Sequence, residues 1–322
     1  MRVVRTTASA PPRRLTPARA VAGPRQRVHD LVRLIRPGQW AKNLFVVPLT
    51  LLAVPAPGLA ALGRLGVAVA AFTVASSLVY VCNDIADRGR DRLHPVKQHR
   101  PVAAGRVSVA AAVGCAAVLA ALLAAVILTV GTVSWWPVLA YLMLNVAYSR
   151  RLKHVPLIDV FIVATGFLLR AVQGAVALRA PLSFWLLGAV FTLCLFLIVG
   201  KRRNEMTNGG SAHRPALAAY TAQYLDHLML LCATVAMFTF LMFLDAARFA
   251  APYTDVAVLL SLVFAMFALA RYLQVVMVHR DGGNPVSVLI RDRAMALNAI
   301  LWMAGLGSTV AAAQSLPLIT SN

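Results

Sequence analysis

Four oxygen-bearing side chains at the end of one apolar run are spaced to act together: Asn83, Asp84, Asp87 and Asp91. They hold three of the chain's eleven acidic residues. If the helix of the preceding run, residues 65–81, continues through them, Asn83, Asp87 and Asp91 fall at i, i+4 and i+8. Asp84 stands three residues before Asp87 and seven before Asp91, so all four share one face. Like charges stacked this way repel by about 0.2–0.5 kcal/mol per pair in water, and by more once desolvated. A cation relieves that repulsion. An all-oxygen set suits Mg²⁺, which binds through one or two carboxylates and keeps positions for phosphate oxygens. Asn83, Asp84, Asp87 and Asp91 are therefore expected to hold Mg²⁺ and a substrate phosphate. The same residues would also make an acidic helix end in water, neutralised by Arg88, Arg90 and Arg92. Their place at a membrane boundary favours the functional assignment.

Two basic stretches could grip the same anion. Residues 91–106 contain Pro95 and Pro101, which stop helices and fix a loop, and Lys97 and Arg100 can fold back from it toward phosphates on the metal. Residues 200–205 read Gly-Lys-Arg-Arg-Asn-Glu. Lys201 and Arg202 could hold phosphate there, with Glu205, the chain's single glutamate, orienting one of them. Both stretches would serve equally as basic topology signals. No pair of histidines has metal-ligand spacing. Trp135, Trp136 and Tyr141 read as an interfacial belt and carry no expected chemistry.

The elements that must position these groups are membrane helices. The chain has 322 residues, 60% of them hydrophobic, against roughly 45–50% in soluble domains. Nine apolar runs are expected to cross the bilayer, at about 39–55, 65–82, 107–130, 133–149, 155–178, 182–200, 224–246, 254–278 and 293–314. The fold class is thus an all-α polytopic membrane protein of one domain, residues 27–316. A basic arm, 1–26, is expected to be disordered in the cytoplasm, and 317–322 to form an external tail. Residues 27–36 could form a short interfacial amphipathic helix. The net charge of +20 does not indicate nucleic acid, because the Lys and Arg fall between the spans. They divide 26 to 3 between the two sides, which puts the N-terminus and the acidic cluster in the cytoplasm and the C-terminus outside, in the plasma membrane. Cys82, Cys115, Cys194 and Cys232 lack metal or disulfide spacing and read as apolar filler.

The run Asn-Asp-x-x-Asp-x-x-x-Asp at 83–91, followed by His-Pro-x-Lys-x-x-Arg-Pro-x-Ala-x-Gly at 94–105, closely resembles the UbiA superfamily of intramembrane prenyltransferases. The resemblance implies a nine-helix bundle with a central cavity open to the cytoplasm and the lipid. It also implies that the acidic motif binds Mg²⁺ and the diphosphate of a substrate. Most of that superfamily carries a second aspartate-rich motif; here only Asp159 remains, beside Arg150, Arg151 and Lys153. Fewer carboxylates and more cations suit a ligand with a phosphate beyond the metal-bound diphosphate, as in phosphoribosyl diphosphate. The opening Arg-Pro-x-Gln-Trp-x-Lys-Asn at 36–43 and the run at 200–205 are similar to the branch that makes decaprenyl-phosphate phosphoribose, whose product feeds cell-wall arabinan synthesis.

What the resemblance implies is transfer of 5-phosphoribose from phosphoribosyl diphosphate to a polyprenyl phosphate. Asp84 and Asp87, with Lys42 and Tyr148, would be catalytic. Lys42, Tyr148, Lys153, Lys201 and Arg202 would touch ribose and phosphate, with Asn83, Asp91, Lys97, Arg100, Asp159 and Glu205 completing the binding set. Arg170, three turns deeper than Asp159, is expected to face the cavity and either pair with Asp159 or hold a lipid phosphate. The partners expected are the two substrates and the bilayer, with self-association left open. Two alternatives remain. One is a prenyl diphosphate donor with an aromatic or haem-precursor acceptor, which two intact acidic motifs would favour. The other is a polyprenyl-phosphate transporter, which an inverted repeat would favour.

Overall fold

A computed structural model describes residues 24–47, 58–131, 133–207, 215–248, 250–279, 288 and 291–315. Among them the protein is helical throughout, with no strand. The order is α1 (Pro24–Leu34), a 3-10 segment (Pro37–Val46), α2 (Leu59–Ala86), α3 (Arg88–Leu93), α4 (Val109–Val130), α5 (Trp135–Arg150), α6 (Ile158–Leu178), α7 (Phe184–Thr207), α8 (Ala222–Ala247), α9 (Thr254–Met277) and α10 (Arg293–Ser315). Short 3-10 turns stand at Lys97–His99, Leu152–His154 and Pro215–Ala219. Local sequence sets several ends. Ser108 and Thr221 accept from the amides of Ala111 and Tyr224, each at 3.1 Å, and so cap α4 and α8. Gly131, at φ 62°, closes α4 in the left-handed conformation that glycine takes without strain.

Among the described residues seven helices are long and apolar enough to span a membrane: α2, α4, α6, α7, α8, α9 and α10. The expected count of nine is not reached among the described residues. The span expected at 133–149 is α5, whose 16 residues rise only about 24 Å, short of a hydrocarbon core of about 30 Å. Of the span expected at 39–55, residues 37–46 form a 3-10 segment that opens on Pro37, and 48–57 lie outside the described residues. The tail at 317–322 and residues 1–23 of the arm also lie outside them. The arm's expected end at 26 moves back, because α1 already begins at Pro24. In α1, Val28, Leu31 and Val32 are exposed while Asp30 and Leu34 are buried. An apolar stripe turned away from the protein suits the membrane interface.

Two cores are built side by side. One takes Val46, side chains of α2, Leu123 of α4, Val138 and Tyr141 of α5, and Leu169 and Ala177 of α6. The other takes Val160 and Ala164 of α6 with side chains of α7, α8, α9 and α10. Helix α6 belongs to both, and 61% of its most apolar window is buried, against 11% in α4 and in α10. It is the central helix, and it carries both Asp159 and Arg170. Gly200 on α7 lets α9 approach closely. A Cβ there would stand 3.1 Å from the Tyr272 ring and from the Met229 methyl. Gly200→Ala is expected to cost about 1–3 kcal/mol of stability through overpacking. Thermal unfolding in detergent checks this, and an unchanged midpoint would mean that Tyr272 moves aside freely.

Candidate functional site

The acidic motif sits at a break in the backbone rather than on one continuous helix. α2 ends at Ala86, Asp87 turns at φ −90°, ψ 1°, and α3 restarts at Arg88. The i→i+4 hydrogen bonds still cross the break, from Asp87 N to Asn83 O and from Asp91 N to Asp87 O, both 2.8 Å. The expected spacing is therefore largely kept. Asp84 and Asp91 are buried, at 2% and 4% exposure. Arg100 serves both of them: one guanidinium nitrogen lies 3.3 Å from Asp84 Oδ1 and 2.6 Å from Asp91 Oδ2, so these two oxygens face one point. Arg36 forms a second ion pair with Asp84. Asp87 is turned elsewhere, toward Arg90 and Lys153, with the Lys153 ammonium 3.2 Å from Asp87 Oδ1. Asn83 Oδ1 accepts from the Ser149 hydroxyl at 2.6 Å.

The structure thus joins the first acidic motif to the end of α5 and the turn after it. Tyr148, half-buried, precedes Ser149 on the same helix. Lys97 is exposed on the 3-10 turn after α3, where its amide is capped by His94 Nδ1 at 3.3 Å. A third group gathers at the ends of α6 and α7. Asp159 is fully buried; its Oδ2 accepts from Arg202 Nε at 3.1 Å and its Oδ1 from the Tyr220 hydroxyl at 3.2 Å. Arg202 also donates to Glu205 at 2.8 Å, and Lys201 lies 3.8 Å from the same carboxylate. Burial, and then the Asp159 charge, push the Tyr220 phenol above its ordinary pKa, which keeps it a donor. Leu157, at φ 63°, is a strained lead into α6, and its amide donates to the same Tyr220 oxygen.

Lys42 lies on the 3-10 segment and is half-buried. Lys201, Arg170 and Arg36 stand near enough to repel it, and no carboxylate among the described residues pairs with it. A half-buried ammonium in such company would be stabilised by an anion beside it. The expected pairing of Arg170 with Asp159 is not made. Eleven residues on one helix are about 16 Å apart along its axis, beyond the reach of the two side chains. Arg170 donates instead to Asn43 Oδ1, to the carbonyl of Gly166 and to the Tyr141 hydroxyl.

Several contributors were not foreseen from sequence. Arg36 was visible only as part of the opening motif. In sequence Tyr141 reads as part of a membrane belt because Trp135 and Trp136 precede it, yet it is 4% exposed and bonded to Arg170. Asn43 closes the opening motif at 36–43 without a role assigned to it there, and Ser149 and Tyr220 give no signal beyond their polarity beside apolar runs.

The donor set suits Mg²⁺ in type, since every acceptor is oxygen. Among the described residues no three acidic, His or Cys side chains meet at one point. What they offer is the Asp84–Asp91 pair, and Mg²⁺ bound through one or two carboxylates plus substrate phosphates needs no more.

A family model described as UbiA prenyltransferase matches residues 44–282. The chain is 34% identical over 308 residues to a decaprenyl-phosphate phosphoribosyltransferase of Mycobacterium tuberculosis, covering 92% of this chain and 96% of that one. It is 31% identical over 295 residues to the protein of the same name in Corynebacterium glutamicum, covering 87% and 86%. Its fold is similar to that of a UbiA homolog from Archaeoglobus fulgidus bound to DMAPP and Mg²⁺. The TM-score is 0.62 at 17% identity, over 88% of this chain and 99% of that one.

Proposed function

The chain belongs to the UbiA prenyltransferase family, and from that premise we propose that it transfers 5-phosphoribose from phosphoribosyl diphosphate to a polyprenyl phosphate such as decaprenyl phosphate, releasing diphosphate. The observation that carries this assignment is the state of Asp159. It is the one carboxylate left at the second motif, and it is wholly buried under Arg202 and Tyr220. A second metal-diphosphate site has no free carboxylate to stand on there. Cations stand at both motifs: Lys153 pairs with Asp87 of the first, Arg202 with Asp159 of the second, and Lys42 lies near Lys201. A prenyl diphosphate has one charged end, already taken by the metal, whereas phosphoribosyl diphosphate has a second phosphate to place.

Asp84 and Asp91, with Asp87 and Asn83 beside them, would hold Mg²⁺ and the donor diphosphate. The ion would supply charge neutralisation of the leaving diphosphate. Arg100 and Lys97 close over the same anion from the loop. Lys42, Lys153 and Lys201 would receive the 5-phosphate, and Tyr148, next to Ser149 on α5, would contact the ribose. In the reaction the bond from ribose C1 to diphosphate oxygen breaks and a bond from C1 to an oxygen of the lipid phosphate forms. That oxygen is already anionic at neutral pH, so no general base is required. The protein's work is positioning and electrostatics. The site would open to the cytoplasm in a nine-pass plasma-membrane bundle, and the product would be a precursor for cell-wall arabinan.

Purified protein given Mg²⁺, labelled phosphoribosyl diphosphate and a panel of polyprenyl phosphates tests this. Labelled lipid and diphosphate should appear in equal amounts. Prenylation of an aromatic acceptor from a prenyl diphosphate, with no phosphoribosyl lipid, would replace the donor assignment. Movement of lipid phosphate across vesicles with no covalent product would make the protein a transporter. Orientation is testable separately. With 26 of the loop Lys and Arg on one side and 3 on the other, a reporter fused after Asn322 should be active only outside the cytoplasm. A cytoplasmic signal would mean that α5 or the stretch around 39–55 does not cross.

A further inference from the structure

Arg170 is 5% exposed in the middle of α6, and its bonding and ring partners among the described residues are all neutral. Its three bonds go to Asn43 Oδ1 (3.0 Å), Gly166 O (2.8 Å) and the Tyr141 hydroxyl (3.0 Å). The rings of Tyr141, Phe167 and Phe72 surround it at 4.7, 5.2 and 5.7 Å from the guanidinium carbon to the centroid. The rings ease the desolvation of the cation without cancelling its charge. A buried guanidinium with no opposite charge is costly and needs a use.

Two of the three bonds of Arg170 leave α6, to Tyr141 of α5 and to Asn43 of the 3-10 segment, and Asn43 is 0% exposed. The Asn43 amide donates in turn to Thr73 Oγ1 at 3.2 Å and Ser76 Oγ at 3.1 Å. Asn43 is therefore clamped between α2 and α6, and its chain neighbour is Lys42. The segment needs such a clamp, because a 3-10 stretch of ten residues is longer than that geometry ordinarily sustains. Lys42 in turn feels the charge of Arg170.

We propose that Arg170 is a positioning residue for the phosphate ester of the donor: through Asn43 it fixes the segment that carries Lys42, and its uncompensated charge deepens the positive field at that ammonium. It does not itself contact the donor. This rests on the reading of Lys42 as a phosphate contact and adds to it the device that sets Lys42 in place.

The test compares Arg170→Met and Asn43→Asp, each alone and combined with Lys42→Ala. Asn43→Asp keeps the bond from Arg170 and the side-chain volume, neutralises the guanidinium, and gives up the amide donation to Thr73 and Ser76. It alters both charge and clamp while leaving Arg170 in place, and so stands as the second variant should Arg170→Met fail to fold. Either change alone should raise the KM for phosphoribosyl diphosphate about tenfold, the size of one charge-assisted contact, with kcat within about threefold. In the Lys42→Ala background the same changes should move KM by less than about twofold, because the path runs through Lys42. Losses that multiply in the double variants, or an unchanged KM in folded single variants, would overturn the proposal. A second readout is independent of the donor: the rate at which a soluble acylating reagent modifies Lys42, read by mass spectrometry. A clear change in that rate in either variant is expected. An unchanged rate in both would overturn the proposal whatever the enzyme's substrate. Failure of the wild type to use phosphoribosyl diphosphate would instead count against the assigned reaction.

Discussion

Asp87→Asn should lower turnover a thousandfold or more, a loss of about 4 kcal/mol of transition-state stabilisation, while the protein still inserts and purifies. The carboxylate belongs to the motif expected to hold the metal and the leaving diphosphate. Its side chain is 22% exposed at the turn between α2 and α3, where replacement costs little structure. Asp84→Asn should be equally inactive but is a less clean experiment. Asp84 is 2% exposed and answers both Arg36 and Arg100, and breaking one side of a buried ion pair typically costs about 3–5 kcal/mol. Part of its loss would be loss of fold. Chelation of Mg²⁺ should abolish the wild-type reaction. Activity that survives Asp87→Asn, or that needs no divalent ion, would remove the metal from the mechanism.

Lys153→Ala and Lys201→Ala should each weaken use of phosphoribosyl diphosphate by roughly ten- to a hundredfold at subsaturating donor, the worth of one charge-assisted phosphate contact of about 1.5–3 kcal/mol. The loss should be much smaller for a donor lacking the 5-phosphate. The two variants are not equivalent in this structure. Lys153 also pairs with Asp87 at 3.2 Å, so its removal disturbs the acidic motif as well. Lys201 is 44% exposed and only 3.8 Å from Glu205, so its variant reports more directly on the donor. If both variants discriminate the two donors as the wild type does, these lysines serve topology and not the substrate.

Much of this was legible in the sequence because it is local. Apolar runs give helices, and the Asn83–Asp91 spacing and the proline-flanked loop after it identify the family without any tertiary information. The second motif's single Asp159 could likewise be read directly. What could not be read are the pairings that close the site across the bundle. Arg36 to Asp84, Lys153 to Asp87 and Arg202 to Asp159 join residues more than forty positions apart. Nothing in periodicity chooses among several arginines for one carboxylate. Tyr141 failed for the opposite reason: its neighbours in sequence suggested an interface, while packing places it inside. Of the two roles open to Arg170 in the sequence, the pairing with Asp159 is excluded, because helix rise alone separates the two charges of α6. The expected count of nine is not reached at two segments: α5 is short of a bilayer's thickness, and the stretch from 39 begins as a 3-10 segment and passes outside the described residues at 48.

The division of the interior has a consequence for how the protein is made. Every buried member of the core around α2 precedes residue 178, and every buried member of the other core lies at or beyond residue 160, with Phe45 alone packed against it from before α2. A ribosome that has just delivered α6 to the membrane has therefore released all the parts of the first core and almost none of the second. The leading half can consolidate while α7–α10 are still being synthesised, using α6 as its last wall. That wall then becomes the template on which the trailing half is laid. Nascent chains arrested beyond residue 178 should accordingly resist protease at α2 and α5, and chains arrested before α6 should not; equal protection in both would mean that the bundle forms only when complete.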